Sequence, residues 1–384
     1  MAEYTGPIRG IKYVSLYEAG GYGNAARAYL RGLIATGVPL TWTPMIGGGG
    51  WGLGYEPFPG RRIGDRELDP YCNRSIDYDL VILHLVPEYL PLWRERERNK
   101  RIVCYTVWET DKLPKHWPRL LNQTDQILVP CRWNKEVFER CGVEPPIEVI
   151  PHILAPGTPA EGDPPRDIDP ADFVFYTIGT WTVRKTIWNT IRCYLDTFTS
   201  HDATLLVVKT SRRDFTRRYF FRYHPDSKRS LKSILRGYRD PARVLLIDEE
   251  IGDDDIRRIH RRGDCYVSLC RSEGWGLGAF DAAGSGKPVI MTGFGGQLDY
   301  LPADLAYLVD YKLAPVVYRI ERRSYSRDQN WAEPNLSSGG RLMRHVFENR
   351  EEARIKGRTL GKHLKEHFGS RTVTHKLMKA LEAF

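Results

Sequence analysis

The chain has 384 residues, 41% of them hydrophobic and 27% charged, with a net charge of +9; that length predicts two domains of roughly 150–200 residues, and no apolar run reaches the roughly 18 residues of a membrane-spanning helix. The excess of cations favours anionic partners without choosing among phosphates, nucleic acid and a membrane surface. Seven cysteines without a CxxC pair, and an N-terminus MAEYTGPIRG lacking the apolar stretch of a secretory signal, predict a reduced, cytoplasmic and metal-free setting.

The first apolar run, residues 11–17, has strand character and meets EAGGYGN, after which Ala25, Ala26, Tyr29, Leu30, Leu33 and Ile34 recur at helical spacing. The segment reads as strand, glycine turn, helix. Its GYGNAA, residues 21–26, satisfies the G-x-G-x-x-A pattern of dinucleotide sites, but that reading needs an acidic residue about 20 positions on, at the end of the second strand. PLTWTPM, residues 39–45, contains none. Gly20, Gly21 and Gly23 are therefore expected to form a loop along which a ligand meets the backbone. Glycines also cluster at residues 47–54, GGGGWGLG.

Further strands are predicted at 79–85 (DLVILHL, with His84 near its end), 101–107 (RIVCYTV) and 125–129 (DQILV), each followed by a polar or helical stretch. Residues 156–172, rich in Pro, Gly and Asp, read as a linker. Beyond it the alternation restarts at 173–178, 204–209, 243–247, 265–269 and 288–292. Strands alternating with helices predict an α/β fold of two Rossmann-like, doubly wound halves, with loops at the strand ends lining a cleft.

Between residues 212 and 243, eleven Lys or Arg stand against three acids and are interleaved with Phe215, Tyr219, Phe220, Phe221 and Tyr223. Such a stretch reads either as a solvated face or as a contact for anionic lipid or a phosphorylated ligand. Asp253, Asp254 and Asp255 read as acids capping a helix start, not as metal ligands. The tail from residue 340 is helical, with Leu342, Val346, Leu360, Leu364, Val373, Leu377 and Leu381 as its apolar positions.

Two stretches carry chemistry. In FVFYTIGTWTVRKTIWNTIRCY, residues 173–194, a strand ends in Gly179 and the following loop offers Arg184 and Lys185 before a helix. Adjacent cations there can bracket a diphosphate, Arg as a bidentate donor and Lys as a point charge; taken alone, the pair reads as solvated surface. In CRSEGWGLGAFDAAGSGKPVIMTGFGGQLDYL, residues 270–301, Glu273 follows a buried strand, and Gly274, Gly276 and Gly278 let backbone N–H groups approach a ligand at a helix start. Asp281 sits about a turn inside that helix, so the two carboxylates can reach different parts of one elongated ligand.

The ordered run of Glu273, Gly274, Gly276, Leu277, Asp281, Pro288, Val289, Ile290, Gly295 and Gly296 resembles the donor site of retaining glycosyltransferases of the GT-B fold, specifically glycosyltransferase family 4 (glycosyl transferases group 1). Two acids separated by seven residues are that family's signature, and here the second is Asp where the family has Glu. The resemblance implies that Glu273 contacts the transferred sugar, that Asp281 holds the ribose hydroxyls, and that Arg184 and Lys185 take the leaving diphosphate. It implies donor contacts at Gly274, Trp275, Gly276, Leu277, Gly179, Gly21 and Gly23, a histidine beside the reacting sugar at His84, and an acceptor side at Glu109 and Tyr22. Residues 105–152 resemble the family's N-terminal domain, and WAEPN near Trp331 is also similar to it.

Its implied organisation is an acceptor-side domain over residues 1–155, a linker over 156–172, a nucleotide-sugar domain over 173–364, and a last helix over 365–384 packing back on the first domain. Its implied activity is metal-independent, retaining transfer of a hexosyl unit from a UDP- or GDP-sugar to a hydroxyl of a glycan, glycolipid or small molecule, with no cofactor. A phosphate oxygen would take the acceptor's proton. An NAD-dependent sugar-nucleotide oxidoreductase or epimerase built on GYGNAA is the alternative, and a noncatalytic carbohydrate- or nucleic-acid-binding module a third reading. Nucleic acid is not expected as a partner. The expected place is cytoplasmic, and the basic aromatic stretch leaves room for peripheral association with the inner face of an anionic membrane.

Overall fold

The computed structural model describes residues 4–18, 20–48, 53–154, 162, 168–216, 225–318 and 323–383. The middle of the glycine cluster, most of the linker and the aromatic centre of the basic stretch, residues 217–224, lie outside the described residues. The chain divides into two compact units, one of residues 1–108, 112–155 and 367–384, the other of residues 109–111 and 156–366.

In the first unit the elements run β1 (Ile11–Leu16), α1 (Gly21–Thr36), β2 (Leu40–Gly47), β3 (Tyr55–Pro57), β4 (Leu80–His84), α2 (Leu90–Arg96), β5 (Arg101–Tyr105), α3 (Trp117–Leu121), β6 (Gln126–Val129), α4 (Arg132–Arg140) and β7 (Ile147–Val149). The strands form one sheet in the order β3-β2-β1-β4-β5-β6-β7, parallel except for β3, which runs antiparallel to β2. Every residue of β4 is buried, as a strand covered on both faces requires, which explains why DLVILHL reads as an unbroken apolar run.

The second unit runs β8 (Phe173–Ile178), α5 (Ile187–Thr197), β9 (Thr204–Lys209), α6 (Ser227–Leu235), β10 (Arg243–Ile247), α7 (Asp253–Arg262), β11 (Cys265–Ser268), α8 (Leu277–Gly284), β12 (Val289–Thr292), β13 (Tyr307–Val309), β14 (Tyr311–Pro315), β15 (Asn330–Pro334), α9 (Leu336–Glu348) and α10 (Arg350–Phe368). Its sheet is all parallel in the order β10-β9-β8-β11-β12-β13. β14 and β15 pair separately as an antiparallel ribbon that the sequence pattern did not disclose. Asp253, Asp254 and Asp255 lie in the first turn of α7 and Arg261 and Arg262 in its last, both ends matching the helix dipole.

The last helix, α11 (Ser370–Glu382), belongs to the first unit. Its Val373, Leu377, Met378 and Leu381 enter the same core as Ile11, Tyr13, Leu30, Leu33 and Leu80. Gln126 donates to the Ala380 carbonyl at 3.2 Å, and the Leu154 N–H to that of Phe368 at 2.8 Å. In the second unit the core gathers Phe175, Ile191, Leu206, Val267, Ile290, Met343 and Val346. No helix among the described residues is long and apolar enough to cross a membrane.

Candidate functional site

In the second sheet the strand order reverses between β8 and β11, which lie side by side while their connections leave in opposite directions. Loops at such a reversal diverge and leave a crevice at the carboxyl ends of the strands, the usual ligand position in open parallel sheets. The two stretches with chemistry occupy those two loops. Residues 179–186 follow β8, and residues 269–276 follow β11.

The loops are tied together before any charge is counted. Thr186, which caps the start of α5, is fully buried with φ 40° and ψ 47°, a left-handed conformation that a β-branched residue rarely adopts. Its hydroxyl donates to the Leu269 carbonyl, and Thr190 accepts from the Leu269 N–H at 3.1 Å. The Arg271 N–H donates to the Arg184 carbonyl at 2.8 Å. Gly179 has no side chain because a Cβ there would meet Cδ of Lys185 at 3.0 Å.

Held this way, Arg184 and Lys185 converge on one carboxylate. Glu273 is 6% exposed and accepts from Arg184 Nη1 at 2.8 Å and from Lys185 Nζ at 2.6 Å. Arg184 Nη1 also donates to the Ser272 carbonyl at 2.7 Å. On its other side Arg184 Nη2 lies 3.3 Å from Glu109 Oε1, and the Tyr325 hydroxyl donates to Glu109 Oε2 at 3.3 Å. Residues 109–111 belong to the second unit, where Asp111 accepts from the Asn330 backbone at 2.5 Å and from its side-chain amide at 2.9 Å. Burial works against a charge on Glu273, but Lys185 and Arg184 outweigh it and bring its pKa down to about 2. Burial likewise opposes the charge on Arg184, and Glu109 and Glu273 raise its pKa well above the ordinary arginine value. Glu273 and Arg184 thus hold each other in their charged forms, with Lys185 and Glu109 on either side of the pair.

Gly276 opens α8 at φ 86°, and the Tyr300 hydroxyl donates to its carbonyl at 2.9 Å. A Cβ on Gly278 would lie 2.8 Å from the Tyr266 hydroxyl, so Gly278 sits close against the strands beneath. Asp281 lies on α8, partly buried, and its carboxylate makes no hydrogen bond or ion pair with the described residues. Burial first, and the charge of Asp253 second, push its pKa up to about 7. Glu273 is braced from behind by the two glycines that end the motif, to which sequence reasoning assigned no individual role: Gly295 at φ 104° would bring a Cβ within 2.7 Å of the Glu273 carbonyl, and the Gly296 N–H donates to that carbonyl at 2.9 Å.

Other expectations are placed differently. The Trp275 ring is 3% exposed and packs against Phe280 and Tyr300, with centroids 5.1 and 4.9 Å away, so its side chain serves the core and only its backbone remains for a ligand. Leu277 is the first residue of α8. Glu109, expected on the acceptor side, is the partner of Arg184. In the first unit Gly21 and Gly23 stand in the first turn of α1, not in a loop; a Cβ on Gly23 would lie 2.1 Å from the Glu18 carbonyl, which makes it a close-packing glycine. The Tyr22 hydroxyl meets Thr106 Oγ1 at 2.9 Å. His84 is 1% exposed at the end of β4, its Nδ1 2.8 Å from the Tyr13 hydroxyl. Among the described residues no group of three or more His, Cys, Asp or Glu is gathered as a metal would need.

No protein-family model matches the chain, and no curated protein matches it in sequence. Solved structures do match. Sucrose-phosphate synthase from Thermosynechococcus elongatus is 14% identical, with 98% of each chain covered and a TM-score of 0.68. HepE from Anabaena, solved with UDP and glucose, is 10% identical over 98% of this chain and 100% of its own, at a TM-score of 0.64. TarM from S. aureus, solved with UDP, is 13% identical over 78% of this chain and 54% of its own, at a TM-score of 0.56. The chain therefore has the GT-B fold of two Rossmann-like domains that these glycosyltransferases share.

Proposed function

We propose that the chain is a retaining glycosyltransferase of the family 4 type, moving a hexosyl unit from a UDP- or GDP-sugar to a hydroxyl of a glycan, glycolipid or small molecule. The observation that carries this is the convergence of Arg184 and Lys185 on Glu273 at the strand reversal. Three charged groups on two loops match the three things the reaction needs at one place, a carboxylate for sugar hydroxyls and two cations for a departing diphosphate. HepE, solved with UDP and with glucose, shares the fold over nearly all of both chains and supports the same reading.

In this reading the nucleotide domain is 173–364, with Asp281 on the ribose and the N–H groups of Gly274 to Leu277 along the donor. Residues 1–155 form the acceptor-side domain, to which the helix over 365–384 returns. The acceptor oxygen bonds to the anomeric carbon on the face that the diphosphate leaves. The bond from that carbon to the phosphate oxygen breaks, and the acceptor proton passes to a phosphate oxygen. Negative charge grows on the leaving diphosphate, and Arg184 and Lys185 stabilise it without reorganising, a contribution of about 10² to 10³ in rate for each such group. No cofactor takes part, and the protein works in the cytoplasm. The GYGNAA segment gives no support to the oxidoreductase reading, since Gly23 packs on the Glu18 backbone.

A thermal-shift panel of nucleotide sugars tests the proposal, because a ligand at 100 times its Kd stabilises by about 2.7 kcal/mol. At least one UDP- or GDP-sugar should raise the melting temperature, and the transferred sugar should keep its anomeric configuration. Stabilisation by NADH with no response to any nucleotide sugar would overturn the proposal.

A further inference from the structure

α8 opens at Gly276, beside the loop that carries Glu273, and ends at Gly284. At 1.5 Å per residue its far end lies about 12 Å from that loop. The turn there, residues 285–287, rests directly on the backbone of α10. A Cβ on Gly357 would fall 2.6 Å from the Gly286 carbonyl oxygen, and one on Gly361 would fall 2.9 Å from Gly286 Cα. Beside this contact is an open crevice of about 500 Å³, lined by Ser285, Gly286, Arg358, Lys362, Lys365 and Glu366.

The cations of this crevice differ from the others on the same helix. In the first half of α10, Arg354 pairs with Glu351 at 3.1 Å and Lys356 with Glu352 at 3.3 Å. Arg358, Lys362 and Lys365 make no hydrogen bond or ion pair among the described residues. They are exposed and follow one another at i, i+4 and i+7, so they share one face of the helix. Like charges at that spacing repel and weaken a helix. Nor do they serve the end of α8. Its last carbonyls, those of Asp281, Ala282 and Ala283, already accept from the N–H groups of Ser285, Lys287 and Gly286.

We infer that this crevice is a second anion site, one for a phosphate group, set apart from the loops that carry Glu273 and Arg184. Three cations against Glu366 leave a formal excess of two positive charges. A phosphomonoester brings about −1.5 to −2 at neutral pH and balances that excess, whereas a single carboxylate would offset only half of it. Arg358 can meet two phosphate oxygens with parallel N–H donors, while Lys362 and Lys365 act as point charges along the next two turns. A free phosphate and the headgroup of phosphatidic acid present the same oxygens to these residues. The inference does not depend on the transfer function proposed above.

Amine labelling of the full chain, read at each lysine by mass spectrometry, tests it. Inorganic phosphate added at constant ionic strength should protect Lys362 and Lys365 saturably, while Lys376 and Lys379, exposed on α11, stay open. Protection by vesicles containing phosphatidic acid, and by neither phosphate nor pure phosphatidylcholine vesicles, supports the site with a lipid headgroup as its source. Lys185 reports on the proposed diphosphate site in the same digest. Protection at Lys185 alone, or no protection by phosphate or vesicles, overturns the inference. Arg358→Gln, an exposed substitution on the helix surface, should weaken the protection of both lysines about fivefold. Protection unchanged in that variant, or equal at Lys376 and Lys379, marks general screening of charge and overturns the inference as well.

Discussion

Lys185 Nζ lies 2.6 Å from Glu273 Oε1, although the two residues are 88 positions apart. The contact exists because β8 and β11 are neighbours at the point where the strand order reverses. Each cation has a carboxylate partner, and in the reaction proposed above a leaving diphosphate would share cations that the fold has already fixed in position.

Arg184 tests that arrangement most directly. Arg184→Ala removes the guanidinium that joins Glu273, Glu109 and the Ser272 carbonyl. Steady-state rates against donor concentration should show kcat lower by about 10² to 10³ with KM changed only a few-fold, since the charge it meets appears as the bond breaks. The melting temperature should fall as well, because Glu109 and Glu273 then repel with one cation fewer between them. Unchanged turnover would remove Arg184 from the reaction.

Asp281 gives a pH test whose sign is fixed. Its carboxyl titrates near 3.8 in an unfolded chain and at about 7 in the fold. Between those values the unfolded chain has lost a proton that the folded one keeps, so stability falls as pH rises through this window and levels off above about 7. Asp281→Asn should raise the melting temperature at pH 8, by an amount equivalent to about 1–3 kcal/mol, and change it little at pH 4. Donor binding should respond in the opposite sense. Ribose hydroxyls donate to the ionised form, so the wild-type donor KM should improve between pH 6 and pH 8, while in the Asn variant it should be flat and roughly tenfold weaker.

Arg184, Lys185 and Glu273 were legible in the sequence because each sits in a short run whose apolar strand, glycines and following helix can be recognised locally. The alternation of strands and helices likewise announced both sheets. What stayed hidden depends on distance. Glu109 meets Arg184, and Tyr13 meets His84, only after strands far apart in the chain pair up, and no local pattern carries that. Trp275 misled in the other direction: its place inside the glycine motif suggests a ligand, while packing against Phe280 and Tyr300 turns its ring inward. β14 escaped because its exposed residues, Tyr311, Lys312 and Leu313, lack the alternation of a half-buried strand.

Thr186 holds the loop that carries both cations. Thr186→Val keeps the shape and the left-handed backbone and removes only the hydroxyl, leaving the Leu269 carbonyl without that donor in the core. A loss of about 1–3 kcal/mol follows from a buried acceptor left unpaired. Chemical denaturation should read it, with donor KM rising in parallel as the start of α5 loosens. If stability drops while KM and kcat stay at wild-type values, the loop does not depend on that hydrogen bond for its position.

Gly295 separates the geometry of Glu273 from its charge. The residue stands at φ 104°, where any side chain is strained, and a Cβ would fall 2.7 Å from the Glu273 carbonyl oxygen, closer than real contacts allow. Gly295→Ala therefore forces the backbone of residue 273 to shift while every ionisable group remains. Conformational strain alone is worth roughly 1–2 kcal/mol, so the variant should fold with a lowered melting temperature. The displaced carboxylate should then lose its alignment with Arg184 Nη1 and Lys185 Nζ, and misplacement of about 1 Å in such a site lowers rates by about 10²-fold. A variant equally destabilised by a core substitution away from the site, such as Leu33→Ala, should keep its kcat. If both lose activity to the same degree, the fall reflects unfolding, and the position of Glu273 is not what Gly295 protects.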